Sequence, residues 1–154
     1  MTNHPTNPHT HMSTEPANLT KPCSGCPFSR KCQPGALGGS PPTTFIGQAF
    51  ASMWLPCHML YDPSKSAKDQ DARQCGQCAG AAIFRANCKI RVLPGIKVLP
   101  SDTDAVFASP EEFLAHHSRL PLAVAADFLK HHTTYDLAVH ELRKAGVRVQ
   151  VVPR

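Results

Sequence analysis

Seven of the 154 residues are cysteines: Cys23, Cys26, Cys32, Cys57, Cys75, Cys78 and Cys88. Cys23 and Cys26 form one C-x2-C pair, Cys75 and Cys78 another, and Cys57 with His58 stands between them. Two intervening residues let both sulfurs reach one ion or cluster from a tight turn. The same spacing serves thiol–disulfide exchange, whereas an isolated cysteine packs as a small hydrophobe. An odd cysteine count suits a full set of internal disulfides poorly. Met1 to Thr20 has neither a basic n-region nor an apolar h-region, and no apolar run approaches the roughly 20 residues of a membrane span. The expectation is a reducing, cytoplasmic setting with no membrane partner, where closely spaced cysteines more often hold metals.

The cofactor expected is therefore one metal centre, and its identity is open between Zn2+ and a [4Fe-4S] cluster. Two C-x2-C pairs are the ligand set of a zinc ribbon or knuckle, and Gly76 suits the turn. Against that, Pro27 directly follows Cys26, and the cysteines are scattered over a loop, a post-helix position and a helix start. A cysteine followed by proline recurs in iron–sulfur proteins. A redox dithiol is less well supported, because Cys23-Ser-Gly-Cys26 follows no strand-like segment and opens no obvious helix.

The strings Pro22-Cys-Ser-Gly-Cys-Pro-Phe28, Leu55-Pro-Cys-His58 and Cys78-Ala-Gly80 occur in this order, with the apolar stretch Phe45 to Phe50 between the first two. In this the chain resembles a family of small phage and actinobacterial proteins, a domain-of-unknown-function family with C-x2-C-P-[FW], CH and CAG motifs. The resemblance covers roughly residues 21–92. It implies Cys23, Cys26, Cys57 and Cys78 as the ligand set, and it implies no activity. Locally, Cys23-x2-Cys26-Pro-Phe-x3-Cys32 with Gly38-Gly39 downstream is similar to WhiB-like iron–sulfur regulators, although no cysteine precedes Cys23 and the G-[VI]-W-G-G turn is lacking. The preferred metal ligands are Cys23, Cys26, Cys57 and Cys78, with Cys75 and then His58 as substitutes. Cys32 and Cys88 are read as bystanders.

The elements that must position these cysteines can be read from breakers and caps. Residues 1–20 are Thr/Asn/Pro/His-rich and predict a disordered tail. Residues 21–42 carry too many prolines and glycines for regular structure, so something other than a backbone ladder must fix that loop. A short helix capped by Thr43 or Thr44 and ended by Pro56 is expected, with Phe45, Ala49, Phe50 and Met53 on its apolar face. Asp62 to Arg73 reads as a mobile polar connection. A second helix is expected from about Cys78 to Lys89, with Gly80 as its weak point. Ile90 to Leu99 predicts two short extended pieces around Pro94-Gly95. Ser109-Pro110-Glu111-Glu112 predicts a capping box, with further helices from about Pro121 to His132 and from Thr134 to Gly146. Val147, Val149 and Val151 predict a terminal strand.

The resulting expectation is an α+β, mainly α-helical chain in three parts: a tail over 1–20, a cysteine-built metal-binding domain with irregular loops over 21–100, and a helical C-terminal region over 101–154. For so small a core a metal staple is physically reasonable.

The formal charge of +5 is unevenly placed, with +7 in residues 21–100 and −1 on either side. Arg85, Lys89 and Arg91 follow Cys78 and are candidate contacts for nucleic acid. No phosphate-binding glycine loop, G-x-S-x-G or H-E-x-x-H motif is present, and adjacent histidines such as His116-His117 and His131-His132 point too far apart on a helix to chelate one ion. The function expected is a small metal-binding protein with four cysteine ligands, a non-catalytic binding or regulatory module contacting nucleic acid or a host protein. A [4Fe-4S] redox or sensing protein is the alternative, and a thiol–disulfide protein the next.

Overall fold

The computed structural model describes residues 19–57, 64–66 and 76–150. Among them the chain is mainly helical: α1 (Pro42–Phe50), α2 (Ala79–Asn87), α3 (Pro110–Ser118), α4 (Leu122–His131) and α5 (Thr134–Lys144). The predicted tail, apart from Leu19 and Thr20, and most of the predicted connection Asp62 to Arg73 lie outside the described residues.

Each helix start has a local cause. Pro41 and Pro42 begin α1 without any side-chain cap, because proline at the first helical position surrenders an N–H that would be unbonded anyway. At α3 the Ser109 hydroxyl accepts from Glu112 N, and Glu112 Oε2 accepts from Ala108 N one residue before the expected partner. The same carboxylate takes a 2.7 Å bond from Arg30, which ties the early loop to α3. The Thr133 hydroxyl and the Asp136 carboxylate close a reciprocal capping box at the start of α5.

The β component of the expected α+β class reduces, among the described residues, to two isolated antiparallel bridges, Ser29 with Val106 and Pro56 with Gln77. Ile90 to Leu99 forms no strand. Gln77 instead brackets the Pro94-Gly95 turn, its amide donating to Gly95 O at 2.8 Å and accepting from Lys97 N at 2.7 Å. The expected terminal strand does not form over residues 147–150, which are irregular with Val147 exposed; Val151 lies outside the described residues. Alternating valines stabilise a strand only where a neighbouring edge accepts them, and among the described residues none does.

The core draws on both the cysteine-bearing loops and the C-terminal helices. Phe28, directly beyond Cys26-Pro27, lies 5.1 Å from Phe84 of α2 and 5.2 Å from Phe113 of α3, measured between ring centroids. Phe107 meets Phe113 edge-on at 5.7 Å. These tilted and T-shaped contacts suit the ring quadrupoles. Ile46, Val106, Ala125 and Leu129 belong to the same buried cluster. α5 crosses α1 at Gly47, where a Cβ would stand 2.6 Å from Leu137 O, so glycine permits the close approach. Among the described residues no helix is long and apolar enough to cross a membrane.

Side chains supply the order that a ladder would give elsewhere. Asn87, at the end of α2, donates to the carbonyls of Asp102, Val106 and Phe107, and its oxygen accepts from Ser101 and Asp102 N. His117 is buried on α3. Its Nε2 donates to Pro27 O at 2.7 Å, and its Nδ1 accepts from Gly35 N at 3.1 Å. His116 Nε2 reaches Cys32 O at 2.6 Å. The two histidines thereby clamp the proline- and glycine-rich loop that carries Cys23, Cys26 and Cys32.

Candidate metal centre

Cys23 and Cys26 lie on a tight turn closed by Cys26 N donating to Cys23 O at 3.1 Å. Cys78 is the residue that caps α2, its sulfur accepting from Ala81 N at 3.4 Å. Cys57 arrives by a short antiparallel pairing in which Cys57 N donates to Gly76 O at 3.1 Å and Cys78 N to Leu55 O at 2.8 Å. Pro56 opposes Gln77 there, and since side chains alternate faces along an extended chain, Cys57 and Cys78 share the other face. A positive φ of 56° at Gly76 lets the chain turn into this pairing.

The four thiols meet as two pairs. Cys26 Sγ lies 3.8 Å from Cys78 Sγ in buried surroundings, and a side-chain hydrogen bond links Cys23 to Cys57. Cys23 also feels the charge of Cys78, and Cys26 that of Cys23, so the pairs adjoin. Cys26, Cys57 and Cys78 are buried and Cys23 is half-buried. Among the described residues no group of three or more His, Cys, Asp or Glu side chains is packed as a ready-made ion cage. His58 and Cys75, the substitute ligands, lie outside the described residues.

Backbone N–H groups converge on the sulfurs in a repeating way. Gly25 donates to Cys23, Phe28 to Cys26 and Gly80 to Cys78, in each case the residue two positions on. Such bonds favour the thiolate, which is the form that ligates metals. Cys78 responds most. The hydrogen bond from Cys26 is the main cause, followed by the N–H groups of Ala81 and Gly80 and the charge of Arg85; against desolvation, they bring Cys78 down to about 7. The bond shared with Cys78, and then burial, push Cys26 up. Burial, and then the neighbouring Cys57, raises Cys23.

Gly80 is the position the helix propensity marks as weak, and the site explains it. A Cβ there would collide with Cys26 Sγ, so only glycine lets the first turn of α2 approach that sulfur. The signal was available in sequence: Cys23-Ser-Gly25 and Cys78-Ala-Gly80 share a C-x-G pattern.

The remaining described cysteines stand apart. Cys32 Sγ points to Gln33 O at 3.5 Å, and burial pushes its thiol up. Cys88 Sγ faces Ala108 O at 3.9 Å; burial, then the nearby Glu111 and Glu112, push it up to about 12. Neither is held as a thiolate.

The expected basic contact face needs correction. Arg85 is only 1% exposed, its Nε donating to Ala49 O at 3.3 Å and its terminal nitrogen to Met53 O at 2.5 Å. Its guanidinium closes the end of α1 and cannot reach a nucleic acid. Lys89 and Arg91 are exposed, Lys89 just past the end of α2 with a positive φ of 55°. The apolar side of the centre borders a cleft of about 480 Å3 lined by Pro27, Phe28, Leu37, Phe45, Leu55 and Cys78 among others.

Comparison of the chain with protein-family models, curated proteins and solved structures finds no match.

Proposed function

We propose that this chain is a small zinc protein in which Cys23, Cys26, Cys57 and Cys78 hold one Zn2+ as a structural centre of a non-catalytic binding module. The separation of Cys26 and Cys78 carries the reading. Zinc–sulfur bonds of about 2.3 Å place the sulfurs of a tetrahedral site about 3.8 Å apart, which is the spacing of this pair. In a [4Fe-4S] cluster each cysteine binds its own iron, so the cage would hold the sulfurs wider apart. The N–H groups of Ala81 and Gly80 support a thiolate at Cys78, while burial and neighbouring thiols push Cys23 and Cys26 the other way. The likeness to the phage and actinobacterial family implies the same four cysteines. A reducing, cytoplasmic setting would keep them available.

Anaerobic purification of the full chain, followed by metal analysis and visible absorption, tests the centre. The expected product is colourless with one zinc per chain. A brown protein holding iron and acid-labile sulfide would replace zinc by a cluster. A metal-free protein whose Cys26 and Cys78 cycle between dithiol and disulfide would overturn metal binding altogether.

The partner proposed is nucleic acid, on the motive of the +7 segment and the exposed Lys21, Lys31, Lys89 and Arg91. Binding to duplex and single-stranded DNA should weaken steeply with added salt. Affinity with no salt dependence, or none at low salt, would leave a protein partner as the reading.

A further inference from the structure

Arg85 is among the largest fully buried side chains, yet its bonds go to the neutral carbonyls of Ala49 and Met53. A buried guanidinium without an opposing charge is strongly unfavourable. The ion pairs among the described residues are Arg30 with Glu112, His131 with Asp127, and Lys144 with Glu141, so no carboxylate there answers it. The group on its own helix that can answer it is Cys78. Cys78 and Arg85 are seven residues apart, which is two turns and about 10 Å of rise, on nearly the same face. Helical side chains lean toward the N-terminus, which brings the long arginine arm back toward the cysteine. The Met53 carbonyl that Arg85 bonds lies two residues before Leu55, whose carbonyl accepts from Cys78 N, so the guanidinium is held on the strip of chain paired with Cys78. The Met53 carbonyl that Arg85 grips also begins the segment that delivers Cys57, which is then fastened to Gly76.

Resting on the zinc reading above, we infer that Arg85 is the built-in counter-ion and positioning residue of the four-cysteine centre. Four thiolates around Zn2+ carry a formal charge of −2, and the guanidinium halves it within the protein interior. Its charge favours the loaded, anionic centre over four neutral thiols, while its two hydrogen bonds fix the path of the chain from α1 to Cys57. This also accounts for an arginine within a helix otherwise composed of Ala, Gly, Ile, Phe and Asn.

Two substitutions in the full chain separate charge from hydrogen bonding. Arg85→Gln keeps a donor for the carbonyls and removes the charge; Arg85→Lys keeps the charge and removes the planar fork. Zinc affinity is read by competition with a chromophoric chelator, using Zn2+ alone as the probe. Partners behind a metal's ligands typically contribute about 10- to 100-fold in affinity, so Arg85→Gln should weaken zinc binding by about tenfold or more, with Arg85→Lys close to the parent. Equal affinity in the parent and both variants would overturn the inference and leave Arg85 as a helix-end bond. Equal losses in the two variants would overturn the charge role. A parent chain that takes up no zinc would bring down the metal reading itself, an outcome visible before either variant is made. Should Arg85→Gln fail to fold, the Arg85→Lys affinity still decides, since a tenfold loss there contradicts a role based on charge.

Discussion

The loops that carry the cysteines and the C-terminal pair α4–α5 are built on opposite principles. α5 is specified locally by the Thr133–Asp136 box and buries Ala138, Val139 and Glu141 against the body. α4 buries only Ala125 and Leu129 and leaves Leu122 and Val124 exposed. The cysteine loops have no strand and few helical turns among the described residues, yet Cys26, Phe28, Cys57 and Cys78 are almost wholly buried. Their order comes from thiols, Asn87, Gln77, Arg85 and the two histidines of α3. A segment ordered by a few converging side chains depends on every one of them, whereas a capped helix loses stability in small steps.

The largest expected effect separates the two regions outright. Replacing Cys78 by serine, or removing zinc with a chelator, should cost about 3–5 kcal/mol or more and lower Tm by roughly 10 °C or more, because bound metal supplies folding free energy. Amide exchange should rise sharply in α2 and the cysteine loops, and α5 should keep the larger share of its protection. Cys88→Ser, at a thiol with no place in the site, should leave zinc content unchanged. Equal loss of protection in all helices after chelation would show that the two regions fold as one.

Glycine substitutions sharpen the contrast at intermediate size. Gly47→Ala and Gly80→Ala each force a methyl into a closed contact, at the α1–α5 crossing and at Cys26 Sγ respectively. Overpacking of this kind costs about 1–3 kcal/mol in each case, measured by urea denaturation. Only Gly80→Ala should also lower zinc affinity. A parallel loss of affinity in Gly47→Ala would couple the helix crossing to the site.

The smallest effect lies at the seam, in His117. Burial lowers its pKa from the ordinary imidazole value of 6.5, and its Nδ1 must remain unprotonated to accept from Gly35 N. The native chain therefore holds it neutral, while the unfolded chain takes up a proton first as pH falls. The contribution is intact above about pH 6.5 and declines below that toward the lower native value. His117→Ala should cost about 1–2 kcal/mol at neutral pH, for two lost hydrogen bonds. It should also flatten the slope of stability against pH below about 6.5, followed by denaturation at a series of pH values.

Legibility in the sequence divided along the same line. Ser109-Pro110, Thr134 and Gly146 mark helix ends within a few residues, because caps are local chemistry, and α3 and α5 begin where those residues place them. The valines near the C-terminus alternate just as clearly, but a strand needs an edge from elsewhere in the chain. The proximity of Cys26 and Cys78 could not follow from spacing, as the pairing depends on Phe28, Phe84 and the Leu55–Cys78 contact. Arg85 illustrates the limit best: its charge suggests an exposed face, and only the carbonyl ends of α1 and the cysteine two turns back make its burial tolerable.

The Cys26–Cys78 contact joins residues 52 positions apart, so a metal shared by them would act on chain topology as a cross-link. Closing a loop costs configurational entropy that grows only logarithmically with length, about 0.6 kcal/mol per doubling. Residues inserted between Cys57 and Gly76 would thus change stability little. A single residue inserted within Cys23-Ser-Gly-Cys26, where Gly25 N–H bonds the Cys23 sulfur and Cys26 N–H the Cys23 carbonyl, would dismantle the knuckle. The chain is permissive in contour length and strict in local register, a division that should guide where a tag or linker is introduced.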